Sequence, residues 1–266
     1  MQTHHVPVGI PFGEKSEALW AISPNHVAIV FVHGFGGSAT NTWIQFPSLL
    51  QSEAGCEGCD FIFFGYDGLR IRARPSAAKF ISLLDELFGN AAGLAADSLP
   101  TVKRLKRFNY KRVVIVAHSL GAVVSRIALL DAFRHQRNWT SKVELVLFAP
   151  AHGGASILPL ATLAMGALRL APVEAFARYR FQVLHDLERS SQTLSRLEKQ
   201  TLSAIQQGAK SLIARRVVYA GNDKIVDPVD FCDDPPAFFI QDVSHTSVCK
   251  PRSDFRDPLD HLLACL

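Results

Sequence analysis

Short, almost wholly apolar runs alternate with amphipathic stretches along most of this chain, and the alternation restricts the folds open to it. Runs rich in Val, Ile and Phe are typical of parallel strands that are covered on both faces. They occupy residues 27–32, 61–64, 113–116, 143–148, 217–220 and 238–240, with helical patterns at 77–88, 120–133 and 184–206. The pattern predicts an α/β fold, with a mostly parallel, doubly wound sheet of about six or more strands and helices on both faces.

The chain is expected to form one domain. Its 266 residues would suffice for one large domain or two small ones. No repeat, low-complexity tract or linker divides them, so we predict a single domain over 1–266. The connection between the runs at 143–148 and 217–220 is far longer than usual and partly apolar. It is typical of a core helix or of a flap over the binding edge, and we expect a helical lid over 155–190.

The charge of the chain gives no indication of a highly charged partner such as nucleic acid. The formal net charge of +4 is mild and does not by itself indicate nucleic acid, so no nucleic-acid partner is expected. The strongly basic run at 103–112 is interpreted as a solvated helix end before the next strand. No stretch approaches the ~20 apolar residues of a membrane span.

The cysteines and the N-terminal segment favour a reducing compartment. Five cysteines are an odd number in a long chain, which favours free thiols over a disulfide framework. Cys56 and Cys59 form one CxxC, but no nearby His or second pair would complete a zinc site, so no metal is expected. The first 20 residues lack the basic and apolar regions of a signal peptide. We therefore expect a cytoplasmic protein.

A serine stands at the turn between a predicted strand and a predicted helix, in the sequence AHSLG (117–121). Ser119 would lie at the carboxyl edge of the sheet, where a sharp turn leaves its hydroxyl accessible. Ala117 and Gly121 are small, as residues crowded across such a turn must be. A serine that merely caps a helix is the alternative interpretation.

The pentapeptide resembles the nucleophile elbow of α/β-hydrolases, in the Ala-His-Ser-x-Gly form of several lipases and esterases. This resemblance implies the α/β-hydrolase fold, in which the chain order of the triad is serine, acid, histidine. Asp223 lies in the loop just past the strand at 217–220, and its segment is similar to the Gly-x-Asp-x-Ile-Val pattern of the family. Asp227 is the second candidate acid, although an aspartate before proline also starts turns.

A histidine follows the last predicted strand, in the sequence DVSHTSVCKP (242–251). His245 could there reach Ser119, with Asp223 fixing its tautomer. The segment resembles the histidine loop of lipase-like serine esterases related to the GPI-inositol deacylases. His152 lies in a Pro-Ala-His-Gly segment that resembles the same relatives, and is interpreted as structural; His261 is expected on a surface helix.

The glycine-rich sequence HGFGG (33–37) follows the first predicted strand. By the same resemblance, the backbone amides of Phe35 and Leu120 form the oxyanion hole, and we expect Gly34 and His118 to contact the substrate. The loop lacks the lysine of a P-loop, and the chain has no G-x-G-x-x-G, so nucleotide binding is not expected and no cofactor is predicted.

These features predict a serine hydrolase that cleaves carboxylic esters through an acyl-enzyme on Ser119. An aspartate at the elbow, as in dehalogenases and epoxide hydrolases, is absent, which favours acyl transfer to water. The expected substrate is a small-molecule or lipid ester, with transient contact between the flap and a membrane surface. A thioesterase, acyltransferase or peptidase on the same triad, and a non-catalytic binding protein of the same fold, are the alternatives.

Overall fold

A computed structural model describes residues 5–98, 104, 108–160, 162, 182–189 and 191–266. Eight strands form one sheet within this part of the chain. They are β1 (His5–Ile10), β2 (Ser16–Ala21), β3 (Val27–Val32), β4 (Asp60–Phe64), β5 (Arg112–His118), β6 (Val143–Phe148), β7 (Ala214–Ala220) and β8 (Phe238–Ile240). The six predicted strands are confirmed, and β1 and β2 add a hairpin that the sequence analysis did not predict.

The sheet has the order β1-β2-β4-β3-β5-β6-β7-β8. The first two strands pair antiparallel, β2 pairs antiparallel with β4, and the other pairs are parallel. The central strands are buried almost from end to end, which explains their continuous apolar sequences. The carboxyl ends of β3, β5, β6 and β7 consequently meet at one edge of the sheet.

Helices cover the two faces of the sheet because the connection from β3 to β4 steps in one direction across the sheet and the later connections step in the other. The helices are α1 (Phe46–Gln51), α2 (Ala73–Gly89), α3 (Ala91–Ser98), α4 (Leu120–Arg134), α5 (Leu184–Leu187), α6 (Gln192–Gln206) and α7 (Asp257–Leu263). Right-handed connections that step in opposite directions place their helices on opposite faces. Accordingly α2, α4 and α6 pack together, whereas α1 packs against α7. The predicted α/β fold, with a mostly parallel, doubly wound sheet and helices on both faces, is confirmed.

Two predictions about individual segments need correction. The helix predicted over 184–206 is divided into α5 and α6, because the backbone becomes extended at Glu188 and Ser191 then caps α6 by accepting a hydrogen bond from the amide of Leu194. The basic run at 103–112 is not uniformly solvated: the Arg104 side chain is 0% exposed and forms an ion pair with Asp60. Residues 103 and 105–107 of that run lie outside the described residues.

The predicted lid at 155–190 is described only at its two ends. Residues 161, 163–181 and 190 lie outside the described residues. The described ends lie beside each other, because the amide of Ala155 donates to the carbonyl of Leu187 at 2.8 Å. Ser156 is tied in turn to the loop after β7 through the carbonyl of Ile225, at 2.7 Å. The lid itself remains a prediction.

Candidate active site

Ser119 is the single residue between β5 and α4, and its backbone is strained. Its φ of 53° and ψ of −119° lie in a region that non-glycine residues rarely adopt, at a cost of about 1–3 kcal/mol. The neighbouring strand maintains this conformation, since the Ser119 amide donates to the carbonyl of Phe148 at 3.0 Å. Its carbonyl accepts from the amide of Ala122 at 3.1 Å. The turn thus places Ser119 beyond the carboxyl end of β5, at the edge of the sheet where the parallel strands end.

Two glycines let the loop after β3 approach this turn. A Cβ atom at Gly121 would lie 2.2 Å from the carbonyl oxygen of Val32 and 2.5 Å from that of His33. The nearest atoms that exclude a side chain at 121 therefore belong to the end of β3 and the residue after it, which the sequence did not indicate. A Cβ atom at Gly34 would lie 2.9 Å from the Cβ of Ser119. Bare backbone at both positions brings the glycine-rich loop against the serine.

The structure brings Ser119, His245 and Asp223 into one chain of hydrogen bonds. His245 Nε2 lies 2.9 Å from Ser119 Oγ, and His245 Nδ1 lies 2.8 Å from Asp223 Oδ2. All three side chains are buried: Ser119 is 1% exposed, and the His245 and Asp223 side chains are 4% and 1% exposed. A neutral imidazole in this position donates from Nδ1 to the carboxylate and accepts the serine proton at Nε2.

The Asp223 carboxylate is held in its charged form. Burial opposes ionisation, but the hydrogen bond from His245 and the amides of Ile225 and Val226 outweigh it, so the pKa of Asp223 is lowered. These two amides donate to Oδ1 at 2.8 and 3.1 Å, which leaves Oδ2 for the imidazole. An anion in this position would stabilise a positive charge on His245.

Asp227, the second candidate acid, is engaged elsewhere. Its side chain is 59% exposed and forms an ion pair with Arg189 at 2.5 Å. Asp223, and not Asp227, therefore contacts the histidine in this structure.

The sequence of this chain matches a known protein family over most of its length. Residues 29–262 match the alpha/beta hydrolase family, which is most of the chain. The chain belongs to the alpha/beta hydrolase family. No curated protein sequence matches it significantly.

Solved structures share the fold of this hydrolase at low sequence identity. The mature lipase BlEst2 of Bacillus licheniformis is 14% identical, with a TM-score of 0.56 over 89% of this chain and 91% of that chain. The propeptide form of the same lipase is 15% identical, with a TM-score of 0.52, and this chain covers 53% of its length and is itself 97% covered. The monoacylglycerol lipase of Paleococcus ferrophilus is 13% identical, with a TM-score of 0.50 over 99% and 97% of the two chains. These likenesses show the fold alone.

The glycine-rich loop of this hydrolase is held by a tyrosine that the sequence analysis missed. The Tyr66 hydroxyl donates to the carbonyl of His33 at 2.7 Å, and the two rings stack with their centroids 4.3 Å apart. Burial lowers the pKa of His33 to about 4, so the imidazole is neutral and its Nδ1–H donates to the carbonyl of Gly34 at 2.8 Å. Tyr66 follows β4 with only a glycine between, and only the position after a strand could have indicated its role.

The predicted oxyanion-hole residues lie on either side of the serine. Leu120 is the first residue of α4, where the backbone amides have no carbonyl partner within the helix. Phe35 follows Gly34 in the loop after β3 and is half-buried against the core. Their role as donors to an oxyanion stays a prediction, as does the predicted contact of Gly34 and His118 with substrate.

His152 and His261, the other histidines considered in the sequence, lie apart from the hydrogen bonds that join Asp223, His245 and Ser119. His152 is 5% exposed and packs against Phe231 with the ring centroids 4.3 Å apart. Burial, with the charge of Arg126, lowers the pKa of His152 well below its usual value. His261 lies on α7, with its Nδ1 2.9 Å from a guanidinium nitrogen of Arg216.

Neither a metal centre nor a membrane span is evident in the described residues. Among them, no three His, Cys, Asp or Glu side chains are grouped so as to hold a metal ion. The helices of that same part of the chain are too short or too polar to span a membrane. All five cysteines are free thiols.

Proposed function

We propose that this alpha/beta hydrolase cleaves carboxylic esters through an acyl-enzyme on Ser119. The supporting observation is the unbroken series of hydrogen bonds from Asp223 through His245 to Ser119, with donor–acceptor distances of 2.8 and 2.9 Å. Such distances are those of direct proton transfer between a nucleophile and its base. Strain at Ser119 supports the proposal, because strained residues cluster at active sites.

In the proposed reaction, Ser119 Oγ attacks the ester carbonyl carbon while its proton passes to His245 Nε2. The carbonyl oxygen becomes an oxyanion, which the amides of Phe35 and Leu120 stabilise. His245 then gives its proton to the departing alkoxide, so that an alcohol leaves and the acyl group stays on Ser119. Water, deprotonated by His245, hydrolyses the acyl-enzyme, and the proton returns to Ser119. Asp223 stabilises the imidazolium at both stages.

The substrate class is part of the same proposal. The apolar sequence of the segment at 155–190, and Phe35 in the loop that approaches Ser119, favour an acyl chain or another apolar ester. A lid role for that segment, its transient contact with a membrane surface, the narrower kinship with relatives of the GPI-inositol deacylases and a cytoplasmic location are retained as predictions. A small-molecule or lipid ester is the expected substrate, with neither cofactor nor metal.

Active-site labelling tests the nucleophile directly. The purified protein is treated with a fluorophosphonate probe, and the labelled peptide is located by mass spectrometry. We expect labelling at Ser119 and its loss in Ser119→Ala, while Ser125→Ala, which alters a buried serine within α4, keeps it. Labelling at another residue in Ser119→Ala, or none in the wild type, would contradict the proposal and favour a non-catalytic binding protein.

A substrate panel distinguishes ester hydrolysis from the related acyl transfers. Rates are measured on p-nitrophenyl esters from acetyl to palmitoyl and on an acyl-thioester of matched chain length. We expect ester turnover that rises with acyl-chain length. Turnover of the thioester with none of the esters would replace the proposal by a thioesterase on the same residues.

A further inference from the structure

His118, the residue before the serine, contacts both loops that flank Ser119. Its ring is buried, with 6% of the residue exposed, and Nε2 lies 2.8 Å from the carbonyl oxygen of His245. The His118 and His245 ring centroids are 4.9 Å apart. On the other side, a Cβ atom at Gly34 would lie 2.9 Å from His118 Nδ1, so the glycine-rich loop passes directly against the ring.

The direction of the His118 hydrogen bond follows from its protonation state. Burial of the ring lowers the pKa of His118 to about 3. The imidazole is therefore neutral at physiological pH and carries one proton. Because a carbonyl oxygen only accepts, that proton is on Nε2 and is donated to the carbonyl of His245. The bond does not depend on the protonation state of the His245 ring.

We propose that His118 is a positioning residue, which fixes the main chain of His245 relative to Ser119 so that the base reaches the serine and Asp223 together. This role differs from the substrate contact predicted for His118. It rests on the proposed function, because it has a kinetic consequence only where His245 acts as a base on Ser119.

The reaction needs such a contact most after the serine is acylated. Before acylation, the His245 ring is held at both nitrogens, by Ser119 Oγ at 2.9 Å and by Asp223 Oδ2 at 2.8 Å. Once Oγ carries an acyl group, it no longer donates a proton to Nε2, and the ring must instead align a water molecule. Asp223 and the main-chain contact from His118 persist through this stage. β5 carries His118 and leads directly into Ser119. The contact from His118 therefore fixes the position of the base, His245, relative to the nucleophile, Ser119.

The test replaces the donor and then restores it. His118→Phe keeps an aromatic ring of similar shape but has no N–H, whereas His118→Gln places an amide donor near the position of Nε2. We expect kcat for ester hydrolysis to fall roughly 10- to 100-fold in His118→Phe, as misplacement of a catalytic group by about 1 Å does, with KM nearly unchanged. His118→Gln should recover most of the loss.

A matched control separates positioning from stability. His5 is also buried and places Nε2 2.8 Å from a main-chain carbonyl, that of Cys59, at the opposite edge of the sheet. His5→Phe removes the same kind of hydrogen bond and should lower the free energy of unfolding while leaving kcat at the wild-type value. In a His245→Ala background, His118→Phe should reduce the residual rate less than about twofold, because coupled residues are non-additive.

The possible outcomes separate the positioning role of His118 from the proposed ester hydrolysis. Wild-type kcat in His118→Phe, a loss in His5→Phe as large as that in His118→Phe, or a full further loss in the His245→Ala background would overturn the positioning role and leave the ester hydrolase intact. A wild type that neither turns over esters nor labels at Ser119 would overturn the proposed function itself. If His118→Phe does not fold, His118→Met and His118→Gln, which are equal in length and differ in the donor, give the same comparison.

Discussion

Two buried carboxylates lie at opposite edges of the sheet, and both are fully engaged by hydrogen bonds. At the carboxyl edge, Asp223 accepts from two backbone amides and from His245. At the amino edge, Asp60 accepts from the amide of Ala21 at 2.7 Å, from Arg104 at 2.5 Å and from the hydroxyl of Tyr110 at 2.6 Å. Burial raises the pKa of Asp60 in spite of Arg104, whereas the pKa of Asp223 is lowered.

The difference between them lies in whether a partner can release a proton. Arginine keeps its proton at every physiological pH, and burial raises the pKa of Tyr110 well above its usual value. The cluster of Asp60 is therefore static and joins β2, β4 and the start of β5. The imidazole beside Asp223 can gain a proton and lose it again, and it touches a serine. Equal burial and equal hydrogen bonding thus accompany two different roles.

The largest expected effect comes from Asp223→Asn. The neutral amide cannot stabilise the His245 imidazolium and favours the wrong tautomer, so kcat should fall by up to ~10⁴-fold with little change in KM. Steady-state ester hydrolysis measures it. Asp227→Asn is the control: its exposed ion pair with Arg189 should contribute little, and the rate should change less than about twofold. A larger loss in Asp227→Asn than in Asp223→Asn would reverse the assignment of the acid.

Asp60→Asn should affect stability and not the chemistry. The substitution leaves the fully buried Arg104 cation without a counter-charge, which costs about 3–5 kcal/mol in comparable pairs. Urea denaturation measures the loss, and active-site titration normalises the rate to folded protein. The rate per active site should equal that of the wild type. A fall in the normalised rate would mean that the two edges of the sheet are coupled.

The carboxyl edge of the sheet should make the fold sensitive to acid. His33, His118 and His152, all at the carboxyl edge, have pKa values lowered to about 4, to about 3 and well below the usual 6.5, chiefly by burial. The unfolded chain therefore binds protons below about pH 6.5 that the folded chain does not, and stability falls as the pH falls. Each buried histidine contributes up to about 1.4 kcal/mol per pH unit.

Urea denaturation between pH 7 and pH 5 measures this dependence. In His152→Phe the slope should decrease by the share of one histidine, because that proton uptake is removed from the unfolded chain. Asp223 adds a separate loss at lower pH, since its lowered pKa stabilises the fold above the usual aspartate range and that stabilisation disappears as the carboxylate is protonated. A stability that does not change between pH 6.5 and pH 5 would contradict the neutral, buried state of the three histidines.

Ser119, Asp223 and His245 could be predicted because each lies in the turn or loop after an apolar strand, in a segment that resembles a family motif. Their order along the chain and their position after β5, β7 and β8 are one-dimensional properties. The hydrogen bond from His118 to the carbonyl of His245 joins residues 127 positions apart and leaves no local pattern. Nor does the stacking of Tyr66 on His33, which depends on how two loops pass each other.

The unpredicted hairpin shows where the pattern was weak. β1 contains Pro7 and Gly9, and it lies at the edge of the sheet, where proline is tolerated because an amide need not be paired. In β2, buried and exposed residues alternate, unlike the continuous apolar runs of the centre. The reason for glycine at position 121 could not be predicted either, because the atoms nearest to a side chain there belong to the end of β3, far away in sequence.

The hydrogen bond between Ala155 and Leu187 makes the segment between them a favourable place for insertions. These two residues lie side by side, so the length of the segment between them is not set by a distance that the chain must span. Doubling the length of a flexible loop costs only about 0.6 kcal/mol in closure entropy. Insertions between these two residues would thus cost the fold little, provided that they leave in place the buried side chains of Ile157, Leu160, Val183 and Leu184.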